Sequence, residues 1–249
     1  MEKYFDSHTH LNFLENKFEI IKKCEEQNIK CCIVGVDIKS CNEVLELSKK
    51  SKNLYYSLGI HPQNASLDAN LIETLLNKDK RCVAIGECGL DYYYDGVDKE
   101  VQKNVFIKQI ELATKYKLPL IIHCRDAYED LYSILLKYHK NLSNILIHCF
   151  DTTSYWVEKF NEFNCFFAIG GKITYEKNAY LKEALLRMPL NRILTETDSP
   201  WLTPKPFRGS MNTPLNIICI VNYINEILQK NITKKLYENS LAFFKIKEK

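Results

Sequence analysis

Residues 82–91 read CVAIGECGLD. The stretch opens as an apolar run, Cys82 to Ile85, and then sets a carboxylate, Glu87, directly behind it. A short apolar run without alternation describes a strand covered on both faces, the condition of strands in a parallel sheet. A carboxylate placed after such a run is costly to bury unless it is paired. The stretch therefore reads as a buried strand that delivers a charged group to one end of a sheet.

Seven further runs share this construction: KYFDSHTH (3–10), KCCIVGVD (30–37), LYYSLGIHP (54–62), PLIIHCRD (119–126), NILIHCF (144–150), CFFAIGG (165–171) and RILTETDSP (192–200). Helical patterns lie between them, at 16–28, 38–51, 66–79, 98–117, 127–140, 154–163 and 178–188, and a helical pair ends the chain. The longest, 98–117, spaces Val101, Val105, Ile110, Leu112 and Ala113 among charged residues, as an amphipathic helix does. Eight strands alternating with helices, at about 30 residues per unit, predict an α/β single-domain (β/α)8 TIM barrel over residues 1–249. A doubly wound sheet would open with a Gly-rich first turn, and the first turn here is HTHLNF (8–13).

With 46% hydrophobic and 26% charged residues the composition is that of an ordinary globular chain, and no run approaches the roughly 20 apolar residues of a membrane span. The apolar pattern starts by Tyr4, which leaves no room for a signal peptide. The expected location is cytoplasmic, with a nuclear or organellar one open for a eukaryotic source. The ten cysteines form no CxxC pair and fall mostly inside apolar runs, which reads as reduced thiols in a core. A net charge of +3 is too small to imply nucleic acid by itself.

Five of the six histidines, His8, His10, His61, His123 and His148, stand at C-terminal ends of predicted strands; His139 lies on a helix and reads as a surface residue. In a barrel that end carries the active site. His8 and His10, two apart, share one face of their strand, and Asp6 shares it one layer deeper, where it could orient a ligand histidine. Asp198 ends the eighth strand with Glu196 below it. Singly, each residue has a plain reading: a hydrogen-bonded histidine pair at a loop edge, a buried ion pair at Glu87, a core histidine satisfied by a carbonyl. Together, His8, His10, Glu87, His123, His148 and Asp198 suit one or two divalent ions, with Glu87 able to bridge them.

The motifs DSHTHL, GIHPQ, AIGECGLDYY, PLIIHCRDA, ILIHCFDTT, ETDSPWL and PFRGSMNTP, from Tyr4 to Phe244, resemble in order and spacing the TatD family of metal-dependent deoxyribonucleases, among the amidohydrolase-like metallohydrolases. The resemblance implies a dinuclear site on those six residues, taking Mg, Mn or Zn, with His61 and Arg125 facing the substrate phosphate. It places Arg208 with the substrate-binding residues, as a family arginine that fixes the loop after strand eight. In that segment Met211 and Thr213 replace an Arg and a Glu of one common family form. Glu87 stands where many amidohydrolase relatives carry a carboxylated lysine. The implied activity is metal-dependent hydrolysis of DNA, at a single strand or 3′ end, in the 3′-to-5′ exonucleolytic sense, with Asp198 as general base and Glu87 shaping the bridge. No membrane and no obligate protein partner are implied. The rim residues Tyr92, Tyr93, Tyr94, Trp201 and Phe207, interleaved with Lys172, Lys205 and Arg208, offer stacking and phosphate contacts or, equally, loop packing. Two other readings stand beside this one: a D-aminoacyl-tRNA deacylase on the same ligands, and a non-catalytic nucleic-acid-binding barrel, against which the intact ligand set speaks.

Overall fold

The computed structural model describes residues 2–65, 68–76 and 81–248. Within them eight parallel strands follow the order of the sequence around a nearly closed barrel. They are β1 (Tyr4–Thr9), β2 (Ile29–Val34), β3 (Leu54–Leu58), β4 (Cys82–Asp91), β5 (Leu120–Arg125), β6 (Ile145–Ile147), β7 (Phe166–Ile169) and β8 (Ile193–Thr195). Helices α1 (Lys17–Glu26), α2 (Ile38–Ser48), α3 (Asn70–Leu76), α4 (Lys99–Tyr116), α5 (Tyr128–Tyr138), α6 (Ser154–Asn161), α7 (Ala179–Arg187), α8 (Ile217–Leu228) and α9 (Thr233–Phe243) pack around it. The expected TIM barrel is the observed fold. The helix expected over 66–79 is realised as α3, and its ends at 66–67 and 77–79 lie outside the described residues.

Two apolar clusters divide the core. The larger lies between strands and helices. The smaller fills the barrel with Phe5, Cys32, Val83, Ala84, Ile121, Leu146, Phe166, Ala168 and Leu194, and continues into Tyr237, Phe243 and Phe244. Phe244 stacks on Phe5 and Phe243 meets Phe166 edge-on, each pair with ring centroids 5.2 Å apart. Both partners stand at strand starts, so the end of α9 plugs the bottom of the barrel and leaves the opposite mouth for polar groups.

Helix α4 departs from its apolar pattern in an informative way. Val101 is exposed, while Gln102 and Gln109 are buried. Gln102 accepts from the Asp91 amide at 2.8 Å and donates to the Asp91 carbonyl at 2.9 Å. Gln109 treats Ile60 likewise, at 2.8 and 3.0 Å. A side-chain amide carries the donor and acceptor of a peptide, so each glutamine serves as a sheet partner at the end of β4 or just past β3.

The joint between β8 and β1 is made largely by side chains, because β8 ends at Thr195. Ser7 Oγ donates to the Thr195 carbonyl at 2.9 Å, and the Asp6 carboxylate accepts from the Thr197 amide at 2.8 Å and the Thr197 hydroxyl at 2.5 Å. Two backbone bonds complete it: Asp198 N to His8 O at 2.9 Å and His10 N to Ser199 O at 2.8 Å. The cysteines are thiols rather than disulfides, buried except for the partly buried Cys149 and Cys219. Among the described residues no helix is long and apolar enough to cross a membrane.

Candidate metal centre

Glu87 reaches the mouth because β4 bulges. Ile85 pairs with Leu120 and Cys88 with Ile122, so β4 takes three steps where β5 takes two, and the irregular step re-aims the side chain within it. Gly86 (φ 133) and Gly89 (φ 139) make this possible, since a Cβ there would lie 2.4 Å from the Ile121 carbonyl oxygen and 2.0 Å from that of His123. Glu87 therefore does not end its strand, as the sequence suggested. Past the bulge, Cys88–Asp91 pair again with β5.

Five imidazoles face this carboxylate. Oε2 lies 3.2 Å from His8 Nε2 and 3.6 Å from His10 Nε2. Oε1 lies 3.0 Å from His123 Nδ1, 2.9 Å from His148 Nε2 and 3.6 Å from His61 Nε2. Asp198 Oδ1 adds contacts of 3.6 Å to His10 and 4.0 Å to His8. The rings of His8 and His148 stack at 3.8 Å. All six residues of the expected ligand set thus converge, and His61 joins them. Three groups are tight enough to share an ion: His8, His10 and Asp198; His8, Glu87 and His148; His61, Glu87 and His123.

The donor set fits a divalent ion. Among the described residues, His8 Nδ1, His10 Nδ1 and both nitrogens of His148 are buried without a hydrogen-bond partner. His148 Nε2 is near Glu87 yet off the line that a hydrogen bond needs. Of these, His148 Nε2 is the one turned to Glu87, and a buried orphan nitrogen there is costly unless something coordinates it. The Nε2 atoms of His8 and His10 crowd the same carboxylate 3.3 Å from each other. Burial would raise the Glu87 pKa, but His148, His8, His61 and a hydrogen bond from His123 hold it well below the usual carboxylate range. His148, also buried, is pushed up by Glu87 and Glu196, and Asp91 and Glu87 raise His123. Burial and His148 lower His8, and burial brings His61 down to about 4.

Several supporting residues escaped the sequence reading. Asp91 Oδ2 lies 2.9 Å from His123 Nε2, on the ring side away from Glu87, which fixes the ring orientation. Asp6, expected to orient a ligand imidazole, instead binds Thr197 and the His8 backbone amide (3.3 Å), so it positions β1 through the main chain. Asp198 takes a left-handed backbone (φ 53), which aspartate tolerates. Its loop is held by Asn212, whose Nδ2 donates to the carbonyls of Thr197 (2.8 Å) and Trp201 (2.7 Å). The one sequence signal for Asn212 was its place in PFRGSMNTP.

A cavity of about 800 Å³ opens above these residues. Its wall includes Tyr93, Tyr94, Arg125, Lys172 and Trp201, and the Arg125 guanidinium lies 3.6 Å over the Tyr93 ring. Arg208 is not part of the wall; its guanidinium stacks 4.3 Å over Tyr175, whose hydroxyl binds the Thr203 carbonyl. Stacking there ties the loop after β8 to the turn after β7. Lys205 and Phe207 border a separate surface groove, and Tyr92 packs inward with its hydroxyl on Asp130.

A family model described as "TatD related DNase" matches residues 5–245. The chain belongs to the TatD-related DNase family. It is 33% identical over 253 residues to YabD of Bacillus subtilis, named an uncharacterized metal-dependent hydrolase, covering 97% of this chain and 99% of that protein. The similarly named MG009 of Mycoplasma genitalium is 35% identical over 247 residues, covering 93% and 94%. The crystal structure of YJJV, a TatD homolog from Escherichia coli, superposes with a TM-score of 0.90 at 24% identity over 98% of both chains, a match of fold. The chain is a metal-dependent hydrolase of the TatD family.

Proposed function

We propose that the chain hydrolyses DNA phosphodiesters from the 3′ end, with His8, His10, Glu87, His123, His148 and Asp198 holding one or two divalent ions. The observation that carries this reading is the division of Glu87: one oxygen faces the β1 pair and the other faces His61, His123 and His148, as suits a bridging carboxylate. Ions bound there would supply Lewis acidity toward the phosphoryl oxygens and lower the pKa of water. The imidazoles favour Zn²⁺ or Mn²⁺, and the two carboxylates also admit Mg²⁺.

The chain's own groups do the rest. Burial would raise the Asp198 pKa, but His10, His148 and His8 keep it below its ordinary value, so it is ionised at neutral pH. Its Oδ1 faces the histidines, which leaves Oδ2 to take the proton of the attacking water. His61 Nδ1 accepts from the Gln63 amide at 3.2 Å, so the neutral ring carries its proton on Nε2. That tautomer makes His61 a donor to a phosphate oxygen rather than a ligand, despite its distance from Glu87. Arg125, its plane fixed on Tyr93, presents a fork suited to non-bridging oxygens. The buried, unoxidised thiols and the bacterial relatives support a cytoplasmic setting.

The test is release of nucleotide from 3′-labelled single-stranded DNA with Mg²⁺, Mn²⁺ or Zn²⁺, against a chelator, with D-aminoacyl-tRNA run in parallel. We expect metal-dependent release of labelled mononucleotide. Glu87→Ala should lower it by more than the roughly 100-fold that loss of a partner behind a ligand costs. Deacylation without DNA cleavage would move the reading to the ester of a tRNA 3′ end, and neither product would overturn both.

A further inference from the structure

Arg125 and Lys172 carry the only permanent positive charges among the described residues that line the cavity. They stand apart. Arg125 ends β5 and stacks with Tyr93 from the loop after β4, whereas Lys172 follows β7 and adjoins the loop after β8. In an eight-stranded barrel of sequential order β7 lies two strands on from β5, whereas β8 and β1, whose loops carry Trp201 and Phe13, face β4 and β5 across the mouth. The Lys172 side of the wall carries its own aromatic pair. Phe13 and Trp201, 44% and 51% exposed, meet edge-on at 6.0 Å, and both also contact the His10 ring, at 5.7 and 5.1 Å.

This second side is built in advance. Lys172 Nζ donates to Asp151 Oδ2 at 2.6 Å, and the Tyr180 hydroxyl donates to Asp151 Oδ1 at 2.5 Å. Both oxygens of that wall carboxylate are therefore engaged, and an ammonium with three donors keeps others for the cavity. The Lys172 carbonyl accepts from Asn178 at 3.1 Å, and Asn212 pins the Trp201 carbonyl, so cation and indole are held by separate anchors. Asp126, the remaining acid of the wall outside the metal centre, lies on the Arg125 side.

A cation beside exposed aromatic faces is what a single-stranded polynucleotide recognises. We infer that Lys172, Phe13 and Trp201 form a second nucleotide site, in which an aromatic face stacks a base and the ammonium holds the phosphate adjacent to the cleaved one. The inference rests on the nuclease reading and narrows it: the chain selects oligonucleotides over small phosphodiesters, because two nucleotides span the mouth.

The test compares wild type, Lys172→Ala, Lys172→Arg and Trp201→Ala on a thymidine trinucleotide and on bis(p-nitrophenyl) phosphate with Mn²⁺. Lys172→Ala should lower kcat/KM for the trinucleotide about tenfold further than for the small diester, chiefly through KM, with Arg restoring most of it. Trp201→Ala should show the same selectivity. Anisotropy of a fluorescein-labelled trinucleotide on chelator-treated protein gives a readout independent of turnover. There Lys172→Ala should weaken binding and reduce the slope of log K against log salt by about 0.7. Equal losses on both substrates, or unchanged binding, would overturn the inference. A binding loss at Lys172 in a protein that cleaves neither diester would uphold the nucleotide site and overturn the nuclease reading.

Discussion

At the scale of single residues, Asp6 shows how a buried acid serves a site it does not enter. It is fully buried and gathers the amide and hydroxyl of Thr197 with the amide of His8. Asp6→Ala strands those donors, and a buried donor left unsatisfied costs about 1–3 kcal/mol, so urea unfolding should show a loss of about 3 kcal/mol. Thr197→Val removes one of the bonds, and the double variant should cost less than the sum of the two. Strict additivity would show that the two residues do not act as a unit. The histidines were legible because a rare residue type gathered at one end of one kind of element. Asp91 and Asn212 were not, since a polar residue in or beside a loop carries no periodicity to distinguish it.

At the scale of elements, the strand ends separate what the sequence displays from what pairing permits. His61, His148 and Asp198 sit past the last ladder residues of β3, β6 and β8, although their apolar runs lead straight to them. An apolar run reports burial, whereas a strand ends where its neighbour stops offering partners, which one sequence does not show. Helix α4 gives the converse case. Its rhythm was readable, but a glutamine on the inner face reads as polar surface until the orphaned strand end it satisfies is known. Gln109→Ala leaves the buried amide and carbonyl of Ile60 unpaired. We expect a loss of about 2 kcal/mol in urea unfolding, together with a higher KM because His61 adjoins the freed segment. An unchanged unfolding midpoint would show that Ile60 finds another partner.

At the scale of the whole molecule, the barrel was legible from eight repeats of one construction, while the aromatic plug at its base was not. Phe243 ends α9 and Phe244 follows it, and the docking of that helix depends on chain closure rather than on local pattern. The six-residue centre should also make stability depend on its ion. Zn²⁺ or Mn²⁺ at about 100 times Kd should add about 2.7 kcal/mol, which for a chain of this size raises Tm by roughly 5–10 °C. Calorimetry should show the shift reversed by chelator and absent in Glu87→Ala; a metal-insensitive Tm would remove the centre. The β1–β8 joint gives this coupling a place. His10 stands on one lip of the joint and Asp198 on the other, 3.6 Å apart. Any ion gripping both acts as a rivet through the side-chain clasp of β1 and β8, closing a loop that takes in all eight strands. Occupancy and topology then form one equilibrium, and a protein stripped of its ion would part first between its first and last strands.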